Sequence, residues 1–154
     1  MDLILWRHAD AEPGEPDEKR RLTAKGKKQA RRAAEWLHNS LPNSARILVS
    51  PAVRAQQTAA FLAELSHRKF KTVPALAPGA SAEEILQIVD WPNAGGCVVV
   101  VGHQPALGWV ASRLLANKDL PWSIKKSGIW WLQVRGAAEP SEIALRAVVN
   151  PDLL

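Results

Sequence analysis

The sequence predicts an α/β protein, a three-layer α/β/α sandwich around a mixed, mostly parallel sheet. Three observations carry that reading. Short apolar strands alternate with amphipathic helices through the first two-thirds of the chain. The run "CVVVVG" (97–102) is apolar without alternation, as a strand covered on both faces must be. Near the C-terminus, "GIWWLQV" (128–134) and "IALRAVV" (143–149), separated by "RGAAEPSE", read as two strands joined by a turn.

The elements follow in order. Residues 2–7 are short, apolar and rich in Leu and Ile, which predicts the first strand. A polar loop with two prolines runs to about residue 21. Thr23 is placed to cap a helix over 24–39, because Ala30, Ala33, Ala34 and Leu37 recur at i, i+3, i+4 and i+7. "RILVS" (46–50) predicts a second strand. Pro51 opens the next helix, where its missing N–H costs nothing, and Thr58, Phe61, Leu62 and Leu65 give that helix a buried face. A brief strand is expected near 70–73. Ser81 and Glu84 form a capping box for a helix over about 82–90. After the 97–102 strand, Pro105 starts a helix with Leu107, Val110, Ala111 and Leu114 on one face.

Length and composition narrow the classes. A chain of 154 residues, nearly half of them apolar, suits a single domain spanning 1–154 with one real core. No apolar run reaches the roughly 20 residues of a membrane span, and the N-terminus lacks the pattern of a signal peptide. Cys97, the one cysteine, lies inside an apolar run and reads as buried. A cytoplasmic location is expected from these features. The formal charge is +5, and much of the excess lies in "KRRLTAKGKKQARR" (19–32). That stretch reads as the solvated face of a helix, with a few residues aimed at an anion. A nucleic-acid patch usually interleaves aromatic or polar readers, and this one does not.

Ligands of a parallel α/β sheet bind at the carboxyl ends of its strands. The first predicted strand ends at Arg7-His8, the second runs into "SPAVRAQQT" with Arg54, and the apolar strand ends at Gly102-His103. Nothing in the fold requires two arginines and two histidines at one sheet edge. Arginines, helix N-termini and histidines together suit a dianionic phosphoryl group. A neutral imidazole is nucleophilic near pH 7, since its reference pKa is about 6.5. Attack on phosphorus would give a phosphohistidine for water to hydrolyse, with arginine forks holding the equatorial oxygens without a metal or other cofactor. His8, His103, Asp10 and Glu12 are of metal-ligating type, but the neighbouring arginines repel a cation. No G-x-S-x-G or Walker-type loop offers another nucleophile.

Taken together, Arg7-His8 after an N-terminal strand, "SPAVRAQQT" (50–58) and "VVGHQP" (100–105) resemble the histidine phosphatase superfamily, with its phosphoglycerate-mutase-like fold. The short length, "RRLTAKG" (20–26) and "KSGIWWL" (126–132) narrow the resemblance to the SixA-type phosphohistidine phosphatases. The resemblance covers residues 1 to about 134. It implies that His8 is the phosphorylated nucleophile, that Arg7 and Arg54 hold phosphate, and that His103 binds phosphate and the transition state. Arg20 matches a third phosphate-binding arginine. Ser127-Gly128 match a recurring segment near the pocket with no role assigned.

Two departures stand out. Relatives usually carry glycine after the histidine, and here Ala9 follows, which implies an ordinary backbone there. Many relatives also supply a glutamate general acid after the second arginine. "ALAPGASAEE" (75–84) offers no such motif, and Glu83 and Glu84 read as first-turn and capping residues. An imidazole leaves phosphorus more readily than an alkoxide, so a pocket without a strong acid favours a phosphoramidate. Asp17 and Glu18 are the candidates for a weaker proton donor; Asp10 and Glu12 are suited to orienting the loop. The expected substrate is a phosphohistidine-bearing protein, a phosphotransfer domain or phosphocarrier, with Trp109 and Trp122 as exposed docking residues. The alternatives are a general small-molecule phosphomonoesterase and a phosphoanion- or RNA-binding protein.

Overall fold

The computed structural model describes residues 1–135 and 142–154. Strands β1 (Asp2–Arg7), β2 (Arg46–Val49), β3 (Lys71–Thr72), β4 (Cys97–Gly102), β5 (Ile129–Arg135) and β6 (Glu142–Val149) form one sheet in the order β3-β2-β4-β1-β5-β6. The pairs β1–β4, β2–β4 and β2–β3 are parallel, and β1–β5 and β5–β6 are antiparallel. The mixed, mostly parallel sheet is the one expected. The turn read in "RGAAEPSE" falls on residues 136–141, outside the described residues.

Four helices lie between the strands: α1 (Ala24–Ser40), α2 (Val53–Ser66), α3 (Ala82–Ile88) and α4 (Ala106–Ala116). Strand alternation splits the core into two layers. Ile4, Trp6, Val99 and Val101 face Ala33, Leu37, Ala59 and Leu62 of α1 and α2. Leu3, Leu5, Val98 and Val100 face Ile85 of α3 and Leu107 and Val110 of α4. All six residues of β4 are buried, which explains its unbroken apolar pattern.

The caps form as the sequence implies. Thr23 accepts from Gly26 N, and Ser81 and Glu84 make the reciprocal capping box. Helix α3 stops at Ile88, two residues short of the expected end, where Asp90 adopts φ 52° and breaks the turn. Ser50 leaves β2 and becomes part of the site described below.

Two expectations need correction. The buried stripe of α2 centres on Ala55, Ala59 and Leu62, so Phe61 lies at its margin and Leu65, one turn on, is 40% exposed. Trp109 is exposed on α4, but Trp122 is half-buried against the second core layer, its ring 6.0 Å from that of Trp130. Its carbonyl accepts from Gln104 Nε2, so Trp122 braces the segment after α4.

Among the described residues, no helix is long and apolar enough to cross a membrane.

Candidate active site

Strand register assembles the site. Arg7 pairs with Gly102 in the parallel β1–β4 ladder, so His8 and His103 emerge side by side. The backbone bond from His8 N to Gly102 O, 3.0 Å, extends that register by one residue. On the far side of β4, Ser50 N donates to Val101 O, which brings the end of β2 to the same place. The chain passes from β1 to β2 and later returns to lay β4 between them. The three carboxyl ends therefore meet where the strand order reverses, the usual ligand position in such sheets.

His8 is buried, and its ring centroid lies 5.1 Å from that of His103. The Ala9 carbonyl can only accept, so Nδ1 of His8 donates to it at 2.8 Å. That fixes the tautomer and leaves a lone pair on Nε2, toward which Arg54 Nε points at 3.4 Å. Burial lowers the His8 pKa to about 4; the bond to Ala9 opposes this, and the charges of Arg54, Arg7 and Arg20 add to it. Burial and then the neighbouring His8 lower His103 to about 3. Both imidazoles are neutral at pH 7.

His103 Nε2 lies 2.7 Å from Ser50 Oγ. That oxygen already accepts from Ala52 N at 3.2 Å, so its own proton is best given to His103 Nε2. The neutral ring then carries its proton on Nδ1, which has no partner among the described residues. Arg7 Nε is the other buried side-chain polar atom without a partner among the described residues, while Arg7 Nη1 is anchored to Ile124 O at 2.9 Å. Two unsatisfied buried donors, one on the residue before His8 and one on the histidine ring beside it, are costly unless an anion occupies them.

Arg54 is 4% exposed at the start of α2, where the helix dipole disfavours a cation. Asp17 offsets this: its carbonyl and Oδ2 accept from Arg54 at 2.8 and 3.1 Å. Asp17 Oδ1 also accepts from Arg20 Nη1 at 3.0 Å, and Arg20 Nε donates to Glu12 O. Asp17 therefore bridges the second and third arginines, and its bonds to Arg20 and then Arg54 hold its pKa below the ordinary carboxylate range. Glu18 is exposed in the same 3₁₀ turn, Asp17–Lys19. Asp10 is turned away, bound to Thr23 Oγ1 and to Lys126 Nζ at 2.6 Å, and Glu12 is exposed.

The structure thus brings Arg7, His8, Arg54 and His103 together, with Arg20 and Asp17 at the rim. Ala9 is buried outside the left-handed region, as expected. Cys97 lies at the opposite end of β4, and burial raises its thiol to about 11, too high for a nucleophile.

Ser50 and Thr58 carry no mark of their role in the sequence, and Ser127-Gly128, which match a recurring segment near the pocket, here gain a role. Ser50 orients His103. Thr58, a core-facing residue by its spacing, accepts from Ala9 N at 3.0 Å and donates to Arg54 O at 2.7 Å, tying the loop after His8 to α2. Ser127 and Gly128 hold the end of β1: Ser127 N donates to His8 O, and Gly128 O accepts from Arg7 N. Ser127 does so at φ 57°, held by the bond from Trp6 Nε1 to its hydroxyl. A non-glycine residue there costs on the order of 1 kcal/mol. The pairing of β2 with β4 places Ser50 and the pairing of β1 with β5 places Ser127, and no local sequence signal states either pairing.

A buried, neutral histidine at the end of the first strand, framed by arginines and a second histidine on a three-layer sheet, defines a phosphoryl-transfer site of the histidine phosphatase type. The family model of the histidine phosphatase superfamily (branch 1) matches residues 3–77. A Haemophilus influenzae protein described as a phosphohistidine phosphatase SixA homolog is 33% identical over 132 residues, 77% of this chain and 80% of that one. Phosphohistidine phosphatase SixA of Escherichia coli K12 is 28% identical over 126 residues, 79% and 78% of the two chains. Among solved structures, the protein histidine phosphatase SixA complexed with tungstate superposes with a TM-score of 0.83 at 25% identity, covering 99% of both chains. The chain belongs to the histidine phosphatase superfamily. Its relatives place it with the SixA-type members, on the phosphoglycerate-mutase-like fold.

Proposed function

We propose that this chain removes phosphoryl groups from phosphohistidine on a partner protein, through a phosphohistidine intermediate on its own His8. The observation that carries the reading is the Nδ1–H bond from His8 to the Ala9 carbonyl. It leaves the lone pair on Nε2, held only by a long 3.4 Å bond from Arg54 Nε, in a ring kept neutral by burial.

In the first step, Nε2 of His8 attacks phosphorus as the substrate's P–N bond breaks. The leaving imidazole keeps the bonding pair and takes a proton. Arg7 Nε and His103 Nδ1 donate to the equatorial oxygens, with Arg54 and Arg20 completing the positive surround. In the second step, water attacks the phosphohistidine, inorganic phosphate departs, and the electron pair returns to Nε2 of His8.

The proton donor distinguishes substrates. Asp17 is the carboxyl nearest the arginines, and its ion pairs keep it ionised. A carboxylate held in that form is a poor acid for an alkoxide leaving group. An imidazole, with a conjugate-acid pKa near 6.5, needs far less help. Glu18, exposed beside it, remains the second candidate donor. A cytoplasmic setting, where phosphotransfer proteins meet such an enzyme, accompanies this reading.

The test compares kcat/KM for a histidine-phosphorylated phosphotransfer protein with that for alkyl and sugar phosphates. A preference of at least about 100-fold for the phosphoramidate supports the proposal, since that corresponds to about 2.7 kcal/mol of transition-state discrimination. Equal or better turnover of the esters overturns it in favour of a general phosphomonoesterase.

A further inference from the structure

We propose that a basic trough leading away from Arg7 docks an acidic face of the phosphohistidine-bearing partner; this rests on the function proposed above. Two adjoining hollows of about 340 and 320 Å³ share Lys25, Gln29, Pro151 and Asp152. The first reaches Arg7 at one end. The second extends along α1 to Lys28 and Arg32.

The sequence builds one wall at helical spacing. Lys25, Lys28 and Arg32 stand at i, i+3 and i+7, so they line one stripe of α1 roughly 10 Å long. None serves the core, which takes Gly26, Ala30, Ala33, Ala34 and Leu37 from that helix. Lys125 and Lys126, just before β5, form the opposite wall. Pro151, buried against α1, makes the floor. The only acid lining the trough among the described residues is Asp152, while Asp10, paired with Lys126, lies beyond its wall.

A solvated helix face explains why these residues are charged. It does not explain why they converge from three parts of the chain on a cleft opening at a phosphate-binding arginine. The continuity matters because a phosphohistidine on a folded protein arrives with the surface around it. A negative surface laid along the trough would be steered to it and held in one orientation, presenting phosphorus to His8. A single-stranded nucleic acid would use aromatic platforms, and no aromatic side chain lines either hollow.

The experiment uses the full chain, a phosphotransfer protein phosphorylated on a histidine beside acidic residues, and free phosphohistidine. The variants are Lys28→Glu/Arg32→Glu and the milder Lys28→Gln/Arg32→Gln. Both pairs lie at the far end of the trough from His8. The charge reversal should raise KM for the phosphoprotein roughly tenfold or more at low salt, with kcat little changed. The neutral pair should raise it less. Kinetics with free phosphohistidine should not move, which also shows that the variants fold. Added salt should raise the wild-type KM and close the gap.

An unchanged KM for the phosphoprotein overturns the proposal. So does an equal loss with both donors, or salt-sensitive binding of a short RNA that the reversal abolishes while phosphoprotein kinetics stay intact. If the wild type turns over neither donor, the phosphohistidine reading falls and docking with it. If turnover is intact and KM does not respond, docking alone falls.

Discussion

On the floor of the pocket, His8, His103 and Arg54 are buried, each positioned by a strand end or a first helical turn and each held by a hydrogen bond. On the rim, Asp17 and Arg20 are half-buried and Glu18 is exposed, all on the long loop between β1 and α1. The floor is held by the sheet and by buried hydrogen bonds, so in the proposed reaction it carries the chemistry. The rim is held by exposed ion pairs, so in the same proposal it bears on which leaving group is accepted. The difference teaches that one sheet edge can hold a rigid site while the loop beside it stays free to vary.

The floor should respond far more than the rim. His8→Ala removes the proposed nucleophile, and turnover should fall by roughly 10⁴-fold or more in steady-state kinetics. Arg54→Ala and His103→Ala each remove a side chain proposed to hold the transferring group, and each should cost about 10²–10³ in kcat. Retention of near-full activity in either would break the division between floor and rim.

Gly26→Ala tests the joint between the two. A Cβ there would stand 2.0 Å from the Asp10 carbonyl, so either α1 or the loop must shift. Denaturant unfolding should show a loss on the order of 2–3 kcal/mol, with reduced activity because Ala9 and Asp10 follow the nucleophile. Asp17→Asn should change kcat for a phosphohistidine donor by less than about tenfold, since an ionised Asp17 is not the main acid. A larger drop, with loss of the acid-base limb in the pH profile, would make Asp17 the donor after all.

The pH dependence sharpens the same contrast. Folded His8 and His103 titrate at about 4 and 3, below the unfolded value near 6.5. Between those values the unfolded chain binds more protons, so stability rises with pH across that window and is lost as pH falls through it. Ring resonances of both histidines in the free protein should therefore stay nearly still from about pH 7.5 to 5.5. A midpoint near 6.5 for either would mean that the floor is wetter than its burial implies.

Much of the floor was legible because strand signals are local. An apolar run ending in Arg-His, and another ending in Gly-His, place those residues at a sheet edge before any contact is known. The order of strands was not legible, and it decides which side chains meet. Ser50 could not be matched to His103, nor Ser127 to Trp6, without knowing that β2 lies beside β4 and β5 beside β1. The rim was least legible for a similar reason: Asp17 reads as a loop charge until Arg20 and Arg54 are seen to share it. Trp122 was misjudged because an isolated aromatic in a polar segment carries no signal of what it packs against. Of the basic run 19–32, the part from Ala24 on lies on α1 as expected while Lys19, Arg20 and Arg21 precede it, and the convergence of Lys25 with Lys125 and Lys126 depends on tertiary contacts alone.

The most direct test of the central claim is rapid-quench labelling with a phosphotransfer protein carrying labelled phosphorus on histidine. The account predicts a transient acid-labile, alkali-stable label on the wild-type chain, followed by phosphate release, and no label on His8→Ala. Release of phosphate with no label on the wild type, or an equal label on His8→Ala, would contradict it.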